Sequence, residues 1–157
     1  MNAIISQCGT YRYVLTRKTN SPLRWVKKCL FIMLNPSTAD SLQDDPTIRR
    51  CIGFAEREGC TDLTVVNLFA LRSTKPELLL THPDPSGPEN YGIVINSLDY
   101  HDVVIAAWGA HKLPDTSLLE VLKKRSGIYC LGKTKDGSPR HPLYLKKDQP
   151  LEVFGAE

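Results

Sequence analysis

The stretch Cys29-Leu30-Phe31-Ile32-Met33-Leu34 is apolar without interruption, and the polar turn Asn35-Pro36-Ser37-Thr38-Ala39-Asp40 follows it at once. A continuous apolar run is typical of a strand that is buried on both faces of a parallel sheet. The ring of Pro36 fixes the backbone where such a strand ends, and open α/β sheets place their ligand crevices at that edge. The stretch therefore predicts an α/β fold with a candidate site directly after its first central strand.

Strands and helices alternate along the rest of the chain, which is the pattern of a parallel sheet with covering helices. The patterns predict further strands at 63–68, 103–107 and 128–132, helices at 45–59, 89–100 and 115–124, and an antiparallel hairpin of 11–15 with 23–26. Four prolines make 69–88 a loop with at most one helical turn near 77–80. We expect one domain over 1–157, a three-layer α/β/α fold with a mainly parallel four-stranded central sheet and an N-terminal β-hairpin.

Composition and charge narrow the class of protein. The five cysteine residues are scattered and odd in number, which predicts neither a disulfide framework nor a zinc site and favours the cytoplasm. No apolar run reaches the roughly 20 residues that a membrane span needs. The net charge is only +3, but the stretch before Asp40 and the C-terminal third are both basic. These blocks indicate either a phosphate-facing surface or ordinary solvated faces.

Distinctive polar or aromatic groups stand at four predicted strand ends or shortly after them: Asn35, Asn67, Trp108 and His141. Because the carboxyl ends of parallel strands meet at one edge, we expect these residues to line one pocket. An amide presents a donor and an acceptor together, which matches the edge of a nucleobase. His141 is suited to donate to an oxygen that gains negative charge, or to act as a general acid or base.

Three aspartates in the loop after the first strand, Asp40, Asp44 and Asp45, are candidates for positioning a water or a cation. Loop and helix-cap chemistry is the alternative for all three. The histidines show no metal-ligand spacing, so we expect no metal and no cofactor.

The order of these strings resembles that of the uracil-DNA glycosylase superfamily: Leu34-Asn35-Pro36, Val66-Asn67-Leu68-Phe69, Trp108-Gly109 and His141-Pro142-Leu143. The resemblance implies a glycosylase-like fold in which Asn35 positions the attacking water and His141 stabilises the departing base. It also implies that Asn67 reads the base. To these catalytic candidates we add Asp40, and to the ligand-binding candidates Trp108, Arg72, Arg140, Ser37 and Arg49.

Nearly the whole chain more closely resembles a small family of bacterial and phage proteins known only as a domain of unknown function. Together, the residues and the resemblances predict an enzyme that acts on a nucleobase N-glycosidic bond in DNA or a free nucleotide, with a nucleobase-containing ligand as its partner. Two alternatives stay open. One is a catalytically silent module that binds a nucleotide or nucleic acid through the same crevice, and the other is a phosphate hydrolase that uses the aspartates and a divalent cation.

Overall fold

A computed structural model describes residues 2–156 and places its strands in one seven-stranded sheet. The strands are β1 (Asn2–Ile5), β2 (Arg12–Lys18), β3 (Lys28–Met33), β4 (Asp62–Asn67), β5 (Val103–Ala106), β6 (Ile128–Cys130) and β7 (Glu152–Val153). The helices are α1 (Pro46–Arg57), α2 (Asn90–Leu98) and α3 (Ser117–Lys124), with short 3₁₀ turns at Pro76–Leu80 and Pro142–Tyr144.

The sheet is mixed, with the strand order β1-β2-β4-β3-β5-β6-β7. Strand β3 pairs with β4 and β5 in parallel, and β5 pairs with β6 in parallel, whereas the three outer pairs are antiparallel. The mixed α/β class is therefore confirmed, but the sheet has seven strands. The extra strands carry little sequence signal because β7 has two residues and β1 is half exposed.

The predicted strand pairing of the N-terminal hairpin, 11–15 with 23–26, is wrong. Strand β2 pairs with β1 on one side and β4 on the other, and residues 23–26 form no strand. The hydroxyl of Thr19 donates to the carbonyl of Cys60 at 2.6 Å, and that of Ser21 donates to the carbonyl of Gly59 at 3.3 Å. These bonds tie the connection from β2 to β3 to the end of α1, so it crosses the end of the sheet instead of pairing.

Helix positions follow the sequence pattern closely. Asp45 caps α1, because its Oδ1 accepts a hydrogen bond from the Ile48 N–H at 2.9 Å. Gly59, with φ of 74°, stands just beyond the helix end, in the left-handed conformation that glycine favours. Within residues 2–156, no helix is long and apolar enough to cross a membrane.

The direction of the crossovers places the helices in two layers. From β3 the chain moves to β4 on one side, then passes back across β3 to β5 and continues to β6. Right-handed crossovers that run in opposite directions put their helices on opposite faces of the sheet. Accordingly, α1 packs on one face through Ile48, Cys51 and Phe54, while α2 and α3 pack on the other. The reversal at β3 opens a crevice at the carboxyl edge of the parallel strands.

Candidate functional site

A pocket of about 420 Å³ opens at this carboxyl edge. Asn35, Asn67 and His141 all line it, as the sequence predicts, and Ser37 lies beside them. The other lining residues are Arg12, Met33, Leu34, Asp45, Thr47, Ile48, Val65, Ser73, Thr74, Pro76, His111, Leu143 and Tyr144. The wall thus combines an apolar floor from β3 and β4 with polar groups from the surrounding loops.

Asn67 ends β4 with its side chain 1% exposed, and its Nδ2 has no hydrogen-bond partner within residues 2–156. The backbone around it is fixed, since Asn90 Nδ2 donates to the carbonyls of Asn67 at 2.9 Å and Leu68 at 3.1 Å. A buried donor left without a partner costs about 1–3 kcal/mol. Asn67 is one of the residues that line the pocket, so a buried amide nitrogen without a partner lies in the pocket wall.

Asn35 follows β3, and the nitrogen and the oxygen of its side-chain amide have different roles. Its Nδ2 donates to the carbonyls of Leu71 at 3.2 Å and Ser73 at 2.9 Å, which holds the loop after β4 against the pocket. The amide oxygen remains as the acceptor that this side chain offers to the pocket. An amide oxygen accepts a hydrogen bond from water and orients it, but an amide does not take the proton.

His141 is held as a neutral hydrogen-bond donor. Its Nδ1 accepts from the Leu143 N–H at 3.2 Å at the start of the turn Pro142–Tyr144, so the ring proton lies on Nε2. Burial lowers the pKa of His141, the neighbouring His111 lowers that pKa further, and Asp45 opposes the change. At neutral pH the ring therefore presents an uncharged N–H.

Gly109 allows the two histidines of the pocket to approach each other. It follows β5 with φ of 76°, and its N–H donates to the Pro139 carbonyl at 2.8 Å. A Cβ at this position would lie 3.3 Å from His111 Nε2 and 3.5 Å from His141 Cβ. Of the Trp108-Gly109 string, it is therefore the glycine that contributes to the site, because it leaves room for His111 and His141.

The aspartates divide between the loop and the pocket. The carboxylate of Asp40, an expected catalytic residue, accepts from the backbone N–H groups of Leu42 at 2.8 Å and Gln43 at 2.9 Å, and Asp40 is not among the residues that line the pocket. These bonds lower the pKa of Asp40. Asp44 is paired with Arg17 at 2.5 Å. Asp45 lines the pocket while it caps α1.

Two arginines of β2 build the wall that carries these aspartates. Arg12 is 3% exposed and lines the pocket, and its Nη1 donates to the Ala39 carbonyl at 2.5 Å. Burial lowers the pKa of Arg12 to about 10, against the attraction of Asp45. Arg17 is also buried and donates to the carbonyls of Asp40 and Gln43. Sequence analysis misses both roles, since arginines in an alternating strand are typical of an exposed face.

Four expected ligand-binding residues lie outside the pocket lining. Trp108 points into the core beside α2 and α3, where its ring meets Phe154 edge to face at 5.1 Å. The guanidinium groups of Arg72, Arg140 and Arg49 donate to the carbonyls of Gly9, Lys133 and Asp44, at 3.5, 3.3 and 3.2 Å. The prediction that Trp108 shares the pocket is wrong because its side chain projects from the opposite face of the sheet.

The basic block before Asp40 does not form one surface at the pocket. Arg12 and Arg17 are buried and bound internally, and Lys18 pairs with Asp62. Lys28 begins β3 and the pocket lies beyond the last residue of that strand, so Lys28 is roughly 16 Å from the pocket along the strand.

The fold and the site define a class: a small mixed α/β protein with a polar pocket, lined by a neutral histidine and two amides, at the carboxyl edge of its parallel strands. The chain belongs to DUF1643, a family of proteins of unknown function, whose profile matches residues 12–143. That range includes every pocket residue except Tyr144. No curated protein and no solved structure matches the chain. The resemblance to a family of unknown function is confirmed, and the resemblance to the glycosylases stays a prediction.

Proposed function

We propose that this protein hydrolyses the N-glycosidic bond of a nucleobase in a nucleotide or in DNA, in a site related to that of the uracil-DNA glycosylase superfamily. One observation carries the proposal: His141, a neutral donor, and Asn67, whose buried Nδ2 has no partner within the described residues, line the same pocket. Two fixed donors beside apolar walls suit a flat heterocycle with acceptor atoms on its edge.

The departing base is the centre of the chemistry. When the bond between C1′ and the base nitrogen breaks, both electrons leave with the base, and negative charge spreads onto its carbonyl oxygens. The His141 Nε2–H donates to one such oxygen and the Asn67 Nδ2–H to another acceptor. Donors fixed in place before the reaction stabilise charge that develops in the transition state, commonly by about 3–4 kcal/mol for one donor. The cation of Arg12 in the same wall adds to this stabilisation.

The water that attacks C1′ is held by the oxygen of Asn35. Because this amide does not take a proton, a second group must receive the proton that the water loses. Asp45 is the carboxylate that lines the pocket within the described residues, and we assign this role to it. The fold supports the same reading, since β3 and β4 are neighbouring parallel strands and deliver Asn35 and Asn67 to one edge.

The test is release of free base, followed by chromatography. The substrates are single-stranded oligonucleotides that contain deoxyuridine or deoxyinosine, and the corresponding nucleoside monophosphates. We expect wild type to release base from at least one of them, and His141→Asn and Asn67→Leu to slow release by about a hundredfold. His101→Asn is the matched control, because His101 lies half-buried outside the pocket. Equal rates of base release in wild type and the His141 variant would contradict the proposed mechanism.

A catalytically silent binding module is the second candidate. The observation that favours it is the amide at position 35, which orients water but does not activate it. In that case the same nucleotides bind, which isothermal titration calorimetry detects, while none releases its base. The alternative of a phosphate hydrolase is less well supported, because two of the three carboxylates that it would use, those of Asp40 and Asp44, form hydrogen bonds or ion pairs within the loop and with Arg17.

A further inference from the structure

A second concavity, of about 580 Å³, lies on the outward side of α1. Its walls carry four cations, from Arg49, Arg50, Arg57 and Lys147, and one carboxylate, from Glu56. Glu58, which pairs with Arg57, adds a second carboxylate beside the groove, so this basic groove keeps an excess of two positive charges on a protein whose net charge is only +3. Such an excess in a concave site attracts a polyanion.

Two of the cations are held rigidly. The guanidinium groups of Arg50 and Arg57 lie over the ring of Phe54, at 5.1 and 5.0 Å from its centre. Arg50 Nε donates to the Pro142 carbonyl at 3.3 Å, and Arg57 Nη1 donates to the Lys147 carbonyl at 3.1 Å. The partners of Arg50 are neutral carbonyls, so they fix its cation without cancelling its charge, whereas Arg57 Nε also pairs with a carboxylate oxygen of Glu58 at 3.0 Å. Cations fixed in advance lose less conformational entropy when a ligand binds.

Gly53 lines the groove between these side chains. Glycine weakens the interior of a helix, yet nothing lies within 4 Å of the position that a Cβ would take here. No packing contact therefore requires glycine at this position. Its effect is to leave the backbone of α1 open to a ligand in the groove.

The basic groove adjoins the pocket. On α1, Thr47 and Ile48 line the pocket and Arg49 begins the groove. The turn Pro142–Tyr144, which Arg50 anchors, lines the pocket on its other side through Leu143 and Tyr144. The ring of Tyr144 is 88% exposed at this shared rim.

We propose that the basic groove binds the phosphates of a single nucleic-acid strand and that Tyr144 stacks on one of its bases. That the strand places another base in the pocket rests on the proposed function. The eight steps from Arg49 to Arg57 span about 12 Å of helix, enough for about three phosphates of a stacked strand. A concavity of about 580 Å³ admits a few nucleotides of one strand but not a duplex, whose major groove alone is about 12 Å wide.

The experiment is fluorescence anisotropy with a labelled oligothymidylate of about twelve nucleotides, at salt concentrations from about 50 to 200 mM. Three phosphate contacts predict a slope of log affinity against log salt of about −2, because each contact on a single strand contributes about −0.7. The double variant Arg49→Gln, Lys147→Gln should bind about tenfold more weakly at physiological salt, with a slope smaller by about 1.4.

Two further variants separate the groove from general charge. The matched pair Lys123→Gln, Lys124→Gln removes the same charge from the exposed end of α3, on the other face of the sheet, and should bind as wild type does. Gly53→Glu places a carboxylate in the groove where no atom obstructs it, and should weaken binding at unchanged melting temperature or above.

The outcome is decisive in either direction. Three results would refute the proposal that the basic groove binds a nucleic-acid strand. They are equal weakening of binding by the two double variants, no binding by wild type, and displacement of the oligonucleotide by thymidine triphosphate at equal phosphate concentration. Base release from a monophosphate without oligonucleotide binding leaves the proposed function standing alone. Salt-dependent binding without base release leaves the groove standing alone.

Discussion

Replacing His141 by Asn separates the turn cap that Nδ1 provides from the donation to a ligand that we propose for Nε2. The Oδ1 of Asn reaches the Leu143 N–H that Nδ1 contacts at 3.2 Å, so the cap is retained. No atom of Asn replaces Nε2 in the pocket. We therefore expect His141→Asn to keep wild-type stability within about 0.5 kcal/mol and to lose about a hundredfold or more in kcat, with KM nearly unchanged.

His141→Ala removes both interactions and supplies the comparison. Loss of a cap costs about 1 kcal/mol, which lowers the melting temperature of a protein of this size by about 2–4 °C. Thermal unfolding followed by circular dichroism measures the first effect, and the rate of base release at saturating substrate measures the second. If His141→Asn turns over as fast as wild type, the donor role is refuted; if the two variants melt together well below wild type, the cap assignment is refuted.

Three other perturbations test the surrounding geometry. Gly109→Ala forces a side chain into the left-handed region beside both histidines, so urea unfolding should show a loss of about 1–2 kcal/mol, and an undiminished free energy of unfolding would contradict this. Asp45→Asn keeps the cap of α1 but cannot take a proton and no longer attracts the buried cation of Arg12, so base release should fall by about a hundredfold or more with a modest fall in melting temperature, and wild-type turnover would show that Asp45 does not receive the proton. Burial lowers the pKa of His101 and of His141, so the unfolded chain takes up protons first as pH falls below about 6.5. Stability should fall from pH 7 to pH 5, and His101→Asn should reduce that fall.

Local patterns predict the part of the fold that carries the two amides. The apolar run before Asn35 becomes β3, and Asp45-Pro46 starts α1 as the cap and first-turn residues. Both signals depend on residues close in sequence, which is why they can be interpreted without the fold. The shared edge of Asn35 and Asn67 then follows from parallel pairing.

The remaining features depend on contacts between distant residues. The pairing of β2 with β1 and β4 is decided by long-range packing, and residues 23–26 show the same alternation without forming a strand. Trp108 follows β5 as predicted. Its side chain lies on the face of the sheet that α2 and α3 cover, and it does not line the pocket. Periodicity alone does not specify that face.

Arg12 and Arg17 show how an outer strand helps to form the pocket. The loop between β3 and α1 has too little regular structure to satisfy its own carbonyl groups, and Ala39, Asp40 and Gln43 all turn theirs toward β2. Buried carbonyls need donors, and a guanidinium group supplies several in one plane. The cost of burying Arg12, visible in its lowered pKa, is therefore offset by an ordered wall that places Asp45 and Ser37 in the pocket lining. It also leaves the cation of Arg12 in the pocket wall, where the proposed reaction would develop negative charge on the departing base.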